Sequence, residues 1–460
     1  MAPPTLLYRR NGGRFGVVIA AVVLPIAAWV AHNFWDRPLK PEARALLEAQ
    51  PQPIPDADNL FLGLLAFSLQ GNEPAHERGR AALRAYEALP AGERPGTYAE
   101  ALGRNIALFD AGPARLCSPG NQAGAYACLQ MSREDRPALQ GLVQHVAPLM
   151  QRYRELQTYP DYADPRVPTM DEPAPDVAPL RISLLNLAVL TWTIDAGQDG
   201  PAMAELVRSA ELWRRVLSGS DVGLIEKTMA VRALTAHLMF ASEWLRERPA
   251  GTDLPLDALL EPYSEDELSL ASAFTKEFRL QAALWEQLSD PGNPVVQADF
   301  PDASAWWYPL LMKRNDTIHR GYRDLQTLLE IERAGCTEVG AQLAEIKARG
   351  VDRGPAWYEY FYNPIGRVLH GMSGVGTQLV HLGRQCNLLA LQRMLGLQRE
   401  LHRRGTAAQS MAGQVQALAA RYTDPNSGDA FVYDAEARTL GFEFLGPTQE
   451  LMTPMPLSSP

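Results

Sequence analysis

The stretch FGVVIAAVVLPIAAWVAHNFW, from Phe15 to Trp35, is the part of the chain on which the interpretation of the rest depends. It contains no acidic residue, lysine or arginine, and aromatic residues gather at its end. A helix of roughly 20 mostly apolar residues can cross a bilayer, and aromatic rings favour the interface. Three arginines precede the stretch, and basic residues favour the cytoplasmic side. The sequence therefore predicts a cytoplasmic tail over residues 1–14, a transmembrane helix over 15–35 and an extracytoplasmic position for all that follows.

Two other interpretations of this stretch stay open. A cleaved signal peptide has a shorter apolar run and ends in a site of the A-x-A type, whereas here Trp29 precedes Ala31 at that spacing. A buried core helix would not need the flanking arginines and aromatic residues, which suit a membrane better. The flanking residues therefore favour the uncleaved anchor.

The composition limits the kinds of partner. The chain has 460 residues and a net charge of −10, from 43 basic and 53 acidic side chains. Phosphate groups are bound by basic surfaces, so the acidic balance argues against nucleic acid as a partner. It also argues against docking on anionic lipid by charge alone. About 420 residues follow the predicted anchor, which is enough for one large domain or two ordinary ones.

The four cysteines of the chain are Cys117, Cys128, Cys336 and Cys386. An even number in a chain placed outside the cytoplasm suggests two disulfides. Proximity in sequence favours the pairs Cys117–Cys128 and Cys336–Cys386 among the possible pairings. Free buried thiols are the alternative, because a buried cysteine behaves as a small apolar side chain. A zinc site is not expected, since no C-x₂-C pair is present.

Periodic apolar residues predict a mainly α-helical extracytoplasmic domain over residues 59–405. A proline-rich linker is predicted before it, over residues 36–58. Residues 406–446 are predicted to contain the end of a helix and a small C-terminal β-hairpin, because turn-forming segments separate short apolar runs there. The last residues, 447–460, are predicted to be a flexible tail.

Three helical segments and one loop carry most of the information about packing. Residues 181–196 are apolar nearly all round, which predicts a central helix. Residues 134–157 carry an apolar stripe at steps of three and four, which predicts one continuous helix. A long helix is predicted over residues 364–404, with a kink at its glycines. Residues 159–179 contain too many prolines for a helix, and a loop of this length is usually either functional or disordered.

The predicted binding site is a group of aromatic residues with one carboxylate. Its members are Trp306, Trp307, Trp357, Tyr358, Glu359, Tyr360 and Tyr362. Aromatic rings can form a stacking platform for a sugar or a partner protein. The alternative is that these rings cover the core and have no binding role.

No catalytic residue is predicted, because each partial match to a catalytic or metal motif fails. The segment GMSGV at 371–375 lacks the final glycine of a nucleophile elbow and lies in a helical context. The segment DPNSG at 424–428 has its glycine one place too early for a calcium loop. His237 lies on a predicted helix, where a satisfied histidine is the usual case. No cofactor and no metal are therefore expected.

Several segments resemble those of a known family. They are DNLFLGLLAF, ELWRRVLSGSDVGLIEKTMAV, YNPIGRVL and a DP-x-SG turn before the predicted hairpin. In these segments the chain resembles a family of uncharacterised, single-pass, mainly helical bacterial envelope proteins, over most of residues 58–446. The resemblance implies an inner-membrane location and a helical fold, and it implies no activity.

Together these features predict a single-pass protein of the bacterial inner membrane with its main domain in the periplasm. Its predicted role is to bind or scaffold another protein of the envelope. The alternative is a periplasmic enzyme that acts on an envelope glycan or peptide. An enzyme needs a concave pocket in which titratable groups converge, whereas a helical body with an aromatic groove favours binding.

Overall fold

The computed structural model describes residues 11–89, 116–117, 127–169, 173, 175–293, 296–297, 307–349, 361–371, 374–405, 410–446 and 455–457. Within the first helix, the side chains are described from Ala21 onward. The chain divides into two compact units. Unit 1 comprises Met1–Ala49, Phe278–Leu325 and Asp352–Gly374. Unit 2 comprises Gln50–Glu277, Gln326–Val351 and Val375–Pro460.

The described part of the chain is mainly helical, as predicted. Its helices in the first half are α1 (Asn11–Phe34), α2 (Pro41–Glu48), α3 (Leu60–Leu65), α4 (Ala75–Glu87), α5 (Cys128–Glu134), α6 (Arg136–His145), α7 (Ala147–Leu156), α8 (Ala178–Asp195), α9 (Asp199–Ser218) and α10 (Leu224–Glu247). Those in the second half are α11 (Asp257–Leu260), α12 (Glu265–Leu268), α13 (Ala271–Ser289), α14 (Tyr308–Leu311), α15 (Arg314–Ala334), α16 (Cys336–Arg349), α17 (Pro364–Gly371), α18 (Val375–Arg403) and α19 (Met411–Leu418). The strands are β1 (Val432–Asp434), β2 (Thr439–Gly441) and β3 (Met455–Pro456).

Helix α1 covers nearly all of the apolar N-terminal stretch. Among the residues that the structure describes, no helix is both long enough and apolar enough to span a membrane. The predicted transmembrane helix over residues 15–35 therefore has no support from the fold.

The core of unit 2 is built from four long helices. Helix α10 packs against both α9 and α18, and α8 packs against α9. The sequence predicts that α8 is central because it is apolar nearly all round. The structure confirms this, since Ile182, Leu185 and Leu187 on different sides of α8 are all fully buried.

The prediction of one continuous helix over residues 134–157 is wrong. The structure has two helices there, α6 and α7, and α5 ends at Glu134 just before them. Pro137 and Pro148 lie in the first turns of α6 and α7. Because proline lacks an N–H, it breaks a helix interior but fits a first turn. The predicted apolar stripe is still buried, with Leu139 and Tyr153 among its members.

The long helix predicted over residues 364–404 is likewise divided, into α17 and α18. The sequence predicts a kinked but continuous helix at the glycines. In the structure, α17 ends at Gly371 and α18 begins at Val375. Glycine has more backbone freedom than other residues, so ending a helix at this position costs little.

The first half of the proline-rich loop is an ordered part of unit 2. The Asn59 side chain accepts a hydrogen bond from the backbone N–H of Ala163 and donates one to its carbonyl. The Ser220 N–H donates to the Tyr162 carbonyl at 3.1 Å. Backbone groups of Tyr162 and Ala163 thus find partners inside the unit, which is how part of a proline-rich segment can be buried without being a helix.

A small antiparallel sheet ends the described chain. Strands β1 and β2 form the predicted hairpin, with Tyr433 opposite Leu440. Strand β3 pairs with the other edge of β2, with Met455 opposite Leu440. Residues 455–456 thus form a strand inside the segment predicted to be a flexible tail. Met455 and Leu457 are both buried, and burying two apolar side chains favours the ordered state.

The DPNSG segment is a turn that fixes this end of the chain. The Asp424 carboxylate accepts hydrogen bonds from the N–H groups of Asn426 and Glu443. The Asn426 side chain donates to Asn387 of α18. Asn387 also accepts from the Leu445 N–H and donates to the Leu445 carbonyl. These side chains therefore hold backbone groups of the C-terminal segment on α18.

Unit 1 has its own small core, in which aromatic side chains of α13 and α15 pack together. The rings of Phe278 and Tyr322 lie 6.0 Å apart. A Cβ atom at Gly321 would lie 2.6 Å from the ring of Trp285, so glycine is required for this close approach. Residues 36–49, which belong to the predicted linker, are part of this unit and include helix α2.

Candidate functional site

The structure describes two of the seven residues predicted to form a binding site. Trp306, Trp357, Tyr358, Glu359 and Tyr360 lie outside the described residues. Trp307 and Tyr362 both belong to unit 1. The Trp307 ring is partly buried and lies 6.3 Å from the ring of Tyr308. The proposed stacking platform therefore stays a prediction.

Tyr362 contacts the C-terminal end of helix α1. Its hydroxyl donates to the Trp35 carbonyl at 2.9 Å, and its ring lies 4.9 Å from the ring of His32. The neighbouring Phe361 carbonyl accepts from the indole N–H of Trp29 at 2.8 Å and from the Asn33 amide at 2.9 Å. Part of the predicted aromatic site thus serves to hold α1 within unit 1.

A second set of polar contacts continues this attachment just after α1. The Asp36 carboxylate accepts from the N–H groups of Asn315 and Asp316 in the first turn of α15, where free N–H groups need acceptors. The buried Asn363 side chain accepts from the Lys313 N–H at 2.7 Å and donates to Asp316. Asn363 has a φ of 53°, a left-handed conformation that asparagine tolerates better than most residues.

The part of α1 that precedes these contacts exposes large apolar side chains. Val22, Val23, Leu24 and Ile26 are each more than half exposed. Apolar side chains that lie together on a surface mark a place where lipid or another protein is bound. The attached end and the exposed apolar part therefore make α1 the candidate interaction element of unit 1.

Unit 2 contains a buried hydrogen-bond network that includes a serine and a histidine. The His237 Nε2 atom lies 2.7 Å from the Ser209 hydroxyl, and its Nδ1 atom lies 2.7 Å from the Ala233 carbonyl. The Tyr153 hydroxyl lies 2.7 Å from the Ser209 hydroxyl, and the Trp213 indole donates to Tyr153 at 3.1 Å. Burial lowers the pKa of His237 to about 4, so the ring is neutral at pH 7.

The tautomer of His237 follows from these contacts. Since the Ala233 carbonyl can only accept, Nδ1 carries the proton and Nε2 accepts from Ser209. A serine that donates to a histidine is the arrangement of an activated nucleophile. Here, however, both side chains are fully buried, so no substrate can reach the hydroxyl in this conformation. The pair therefore serves the core, in agreement with the prediction of a satisfied histidine.

A small cleft lies beside this network. It has a volume of about 280 Å³, part of it open to solvent, and Glu211, Arg214, His237 and Tyr263 are among its lining residues. The Arg214 guanidinium is already bound to Glu267 at 2.5 Å and stacks on the ring of Tyr263. The charged group best placed to meet a ligand is thus engaged by the protein itself.

Four charged side chains form a buried cluster in unit 2. Arg166 donates to Asp164 from two nitrogens, at 2.8 and 2.6 Å, and Lys276 also donates to Asp164. Glu226 lies 3.7 Å from Arg166. Burial raises the pKa of Asp164, but Arg166 and Lys276 bring this pKa below its ordinary value. Two acids and two bases balance one another, so the cluster ties the proline-rich loop to α10 and α13.

Glu243 of α10 is a buried carboxylate with a different kind of partner. It accepts from the Leu129 N–H in the first turn of α5 at 3.0 Å. Burial raises the pKa of Glu243 to about 7, although this hydrogen bond and the charge of Arg246 lower it. No sequence pattern identified this residue, because its environment is created by the packing of α5 on α10.

The predicted disulfides are present in the structure. Cys117 pairs with Cys128 and Cys336 pairs with Cys386, with Cα atoms 5.0 and 5.6 Å apart. These separations lie within the range that a disulfide requires. Among the residues that the structure describes, no three acidic, histidine or cysteine side chains are grouped as metal ligands.

Comparison with protein-family models, with curated proteins and with solved structures gives no match for this chain. The resemblance to single-pass envelope proteins therefore stays a prediction. The case for a function rests on the contacts, the burial and the charges of the chain itself.

Proposed function

We propose that this chain is an extracytoplasmic protein of the bacterial envelope, held at the inner membrane by helix α1, with its main part in the periplasm. The observation that carries the proposal is the exposed apolar surface of Val22, Val23, Leu24 and Ile26. Water solvates such side chains poorly, whereas the acyl region of a bilayer accepts them. The sequence before these residues is also apolar, back to Phe15.

Both disulfides support the extracytoplasmic location. Disulfides persist in the bacterial periplasm and are rare in the cytosol, where thiols are kept reduced. All four cysteines of the chain are consumed in these two pairs. The arginines before α1 are consistent with the same orientation, because basic segments stay in the cytoplasm.

The role that the contacts favour is binding or scaffolding of another envelope protein. The strongly shifted titratable groups of unit 2, such as His237 and Glu243, are buried and bonded to the protein itself. Catalytic groups need access to a substrate, which these groups lack in the described conformation. Unit 1 instead offers an exposed apolar helix whose far end is fixed by hydrogen bonds.

Membrane attachment is tested by washing membranes with alkaline carbonate, which removes peripheral proteins. The wild-type chain should stay in the pellet, and the variant Val23→Asp/Ile26→Asp should move to the supernatant, because each charge strongly opposes burial in lipid. The matched control Val368→Asp/Val432→Asp changes two valines that are also more than half exposed, and it should stay in the pellet. Wild-type protein in the supernatant would contradict the proposal.

Orientation and partner need separate measurements. A reporter that is active only in the periplasm, fused after Pro460, should be active, and activity of a cytoplasm-only reporter instead would reverse the orientation. Crosslinking in the native envelope followed by purification should recover one recurrent protein. Recovery of lipid alone would count against the scaffold role while leaving the membrane attachment intact.

A further inference from the structure

The C-terminal strand β3 occupies a groove that has the properties of a peptide-binding site. One side of it is the edge of β2 that faces away from β1, and helix α10 packs against β3 from within the core of unit 2. Met455 and Leu457 are 2 and 7% exposed, and both lie in the same apolar cluster as Leu440 of β2. The groove thus takes two apolar side chains that are two positions apart along an extended chain.

Few main-chain contacts hold β3 in this groove. The described strand consists of Met455 and Pro456, followed by a hydrogen bond of 2.9 Å from the Leu457 N–H to the Arg438 carbonyl. Pro456 has no N–H and so cannot donate to β2. Only two residues of β3 pair with β2, and one of them is proline, so release of the strand breaks few main-chain hydrogen bonds.

We propose that this groove is a strand-addition site and that strand β3 is a built-in competitor for it. The partner is an extended segment of another protein that carries uncharged apolar side chains at positions i and i+2. Main-chain hydrogen bonds to the β2 edge would hold such a segment, and the two side-chain positions would select it. A partner segment with a residue other than proline between its two apolar side chains would have a backbone N–H to donate to β2, which Pro456 lacks. The inference rests on the proposed binding role and specifies how the partner is held.

The inference is tested with a fluorescein-labelled synthetic peptide of residues 451–460, LMTPMPLSSP, followed by fluorescence anisotropy. A chain that ends at Gly446 should bind the peptide saturably, because its groove is empty. The wild-type chain should bind at least about ten-fold more weakly, since a tethered strand competes at high effective concentration. The matched control is the same peptide with Met455→Asp and Leu457→Asp, which should not bind.

A second variant covers the case in which the shortened chain does not fold. The full-length variant Met455→Asp/Leu457→Asp keeps the whole chain but cannot seat its own strand, so it should also bind the wild-type peptide. Absence of saturable binding by variants with native circular dichroism would overturn the proposal. So would loss of cooperative unfolding in both variants, because the strand would then be part of the core.

One further outcome would assign the groove to a different occupant. If the wild-type chain forms dimers whose formation the Met455→Asp/Leu457→Asp variant prevents, the groove exchanges strands between copies and the partner proposal is wrong. These measurements use purified protein and a peptide. Their failure would leave the membrane fractionation unaffected, so this inference and the proposed function can fail separately.

Discussion

Glu243 is the residue whose charge state depends most directly on its surroundings. Because its pKa rises from 4.5 to about 7 on folding, the folded chain holds the proton more tightly than the unfolded chain. Its contribution to stability is therefore complete below pH 4.5 and is lost as the pH rises toward 7. At about 1.4 kcal/mol per pH unit, the loss amounts to about 3 kcal/mol.

The variant Glu243→Gln tests this effect. Glutamine keeps an acceptor oxygen for the Leu129 N–H but cannot ionise, so at pH 8 the variant should be more stable than wild type by up to about 3 kcal/mol. Below pH 4.5 the difference should vanish. Urea unfolding measured from pH 4 to pH 8 gives both values. The exposed Glu436→Gln variant should follow the wild-type curve, and a parallel shift of Glu243→Gln at all pH values would contradict the pKa argument.

Asp164 is the acid on which Arg166 and Lys276 converge. The variant Asp164→Asn leaves two buried cations without their carboxylate, and breaking a buried ion pair in this way costs about 3–5 kcal/mol. Thermal and urea unfolding should show this loss. Asp257→Asn is the control, because its side chain is 84% exposed and its pairing with Arg399 should be worth at most about 1 kcal/mol. Equal losses would mean that the buried cluster is not a stabilising centre.

At the scale of elements, the disulfide between Cys336 and Cys386 joins α16 to α18 across 50 residues of sequence. The double variant Cys336→Ala/Cys386→Ala should lose about 4 kcal/mol of unfolding free energy on the chain-entropy model. The disulfide between Cys117 and Cys128 closes a shorter loop, so the variant Cys117→Ala/Cys128→Ala should lose about 3 kcal/mol of unfolding free energy. Denaturant unfolding tests both values. Thiol labelling of unreduced wild-type protein should find no reactive cysteine. Two reactive thiols would show that one of the disulfides does not form.

The C-terminal segment is held on α18 by Asn387. The variant Asn387→Ala removes the partner of both backbone groups of Leu445, and each buried group left unsatisfied costs about 1–3 kcal/mol. Limited proteolysis should therefore cut the chain near residues 443–446 faster than in wild type. Gln416→Ala on the neighbouring α19 removes an exposed side chain and should not change the cleavage rate. Unchanged cleavage in Asn387→Ala would show that the segment is held by apolar contacts.

Across the whole molecule, the two parts of α1 have separate roles. A chain that begins at Ala28 lacks the exposed apolar residues but keeps the contacts of Trp29 and Asn33 with the Phe361 carbonyl. It should match the unfolding midpoint of the full chain and stay in solution without detergent. A chain that begins at Arg37 loses these two hydrogen bonds, the one from Tyr362 to Trp35 and the two that Asp36 accepts. It should be less stable by about 5 kcal/mol, at about 1 kcal/mol per hydrogen bond. Equal stability of the two shortened chains would contradict the attachment.

Local patterns in the sequence were enough to predict most of the helices, the hairpin and the two disulfides. An apolar surface on all sides of a helix requires burial, so the central place of α8 follows from residues 181–196 alone. The turn-forming residues of DPNSG and the short apolar runs on either side of residues 434–438 place the hairpin. The proximity of Cys117 to Cys128 gave the correct pairing. The breaks at Pro137 and Pro148 were missed because the apolar stripe continues across both prolines.

The sequence by itself determined a mainly helical chain with an apolar N-terminus, an acidic surface balance and two cysteine pairs. These properties depend on composition and on spacing over a few residues, which the sequence states directly. Only the tertiary structure decided that Tyr362 holds α1, that Asp164 collects two cations and that Met455 completes a sheet. The reason is physical: each of these environments includes a contact between residues that lie far apart in sequence, and burial and hydrogen bonding there exist only after the chain has folded.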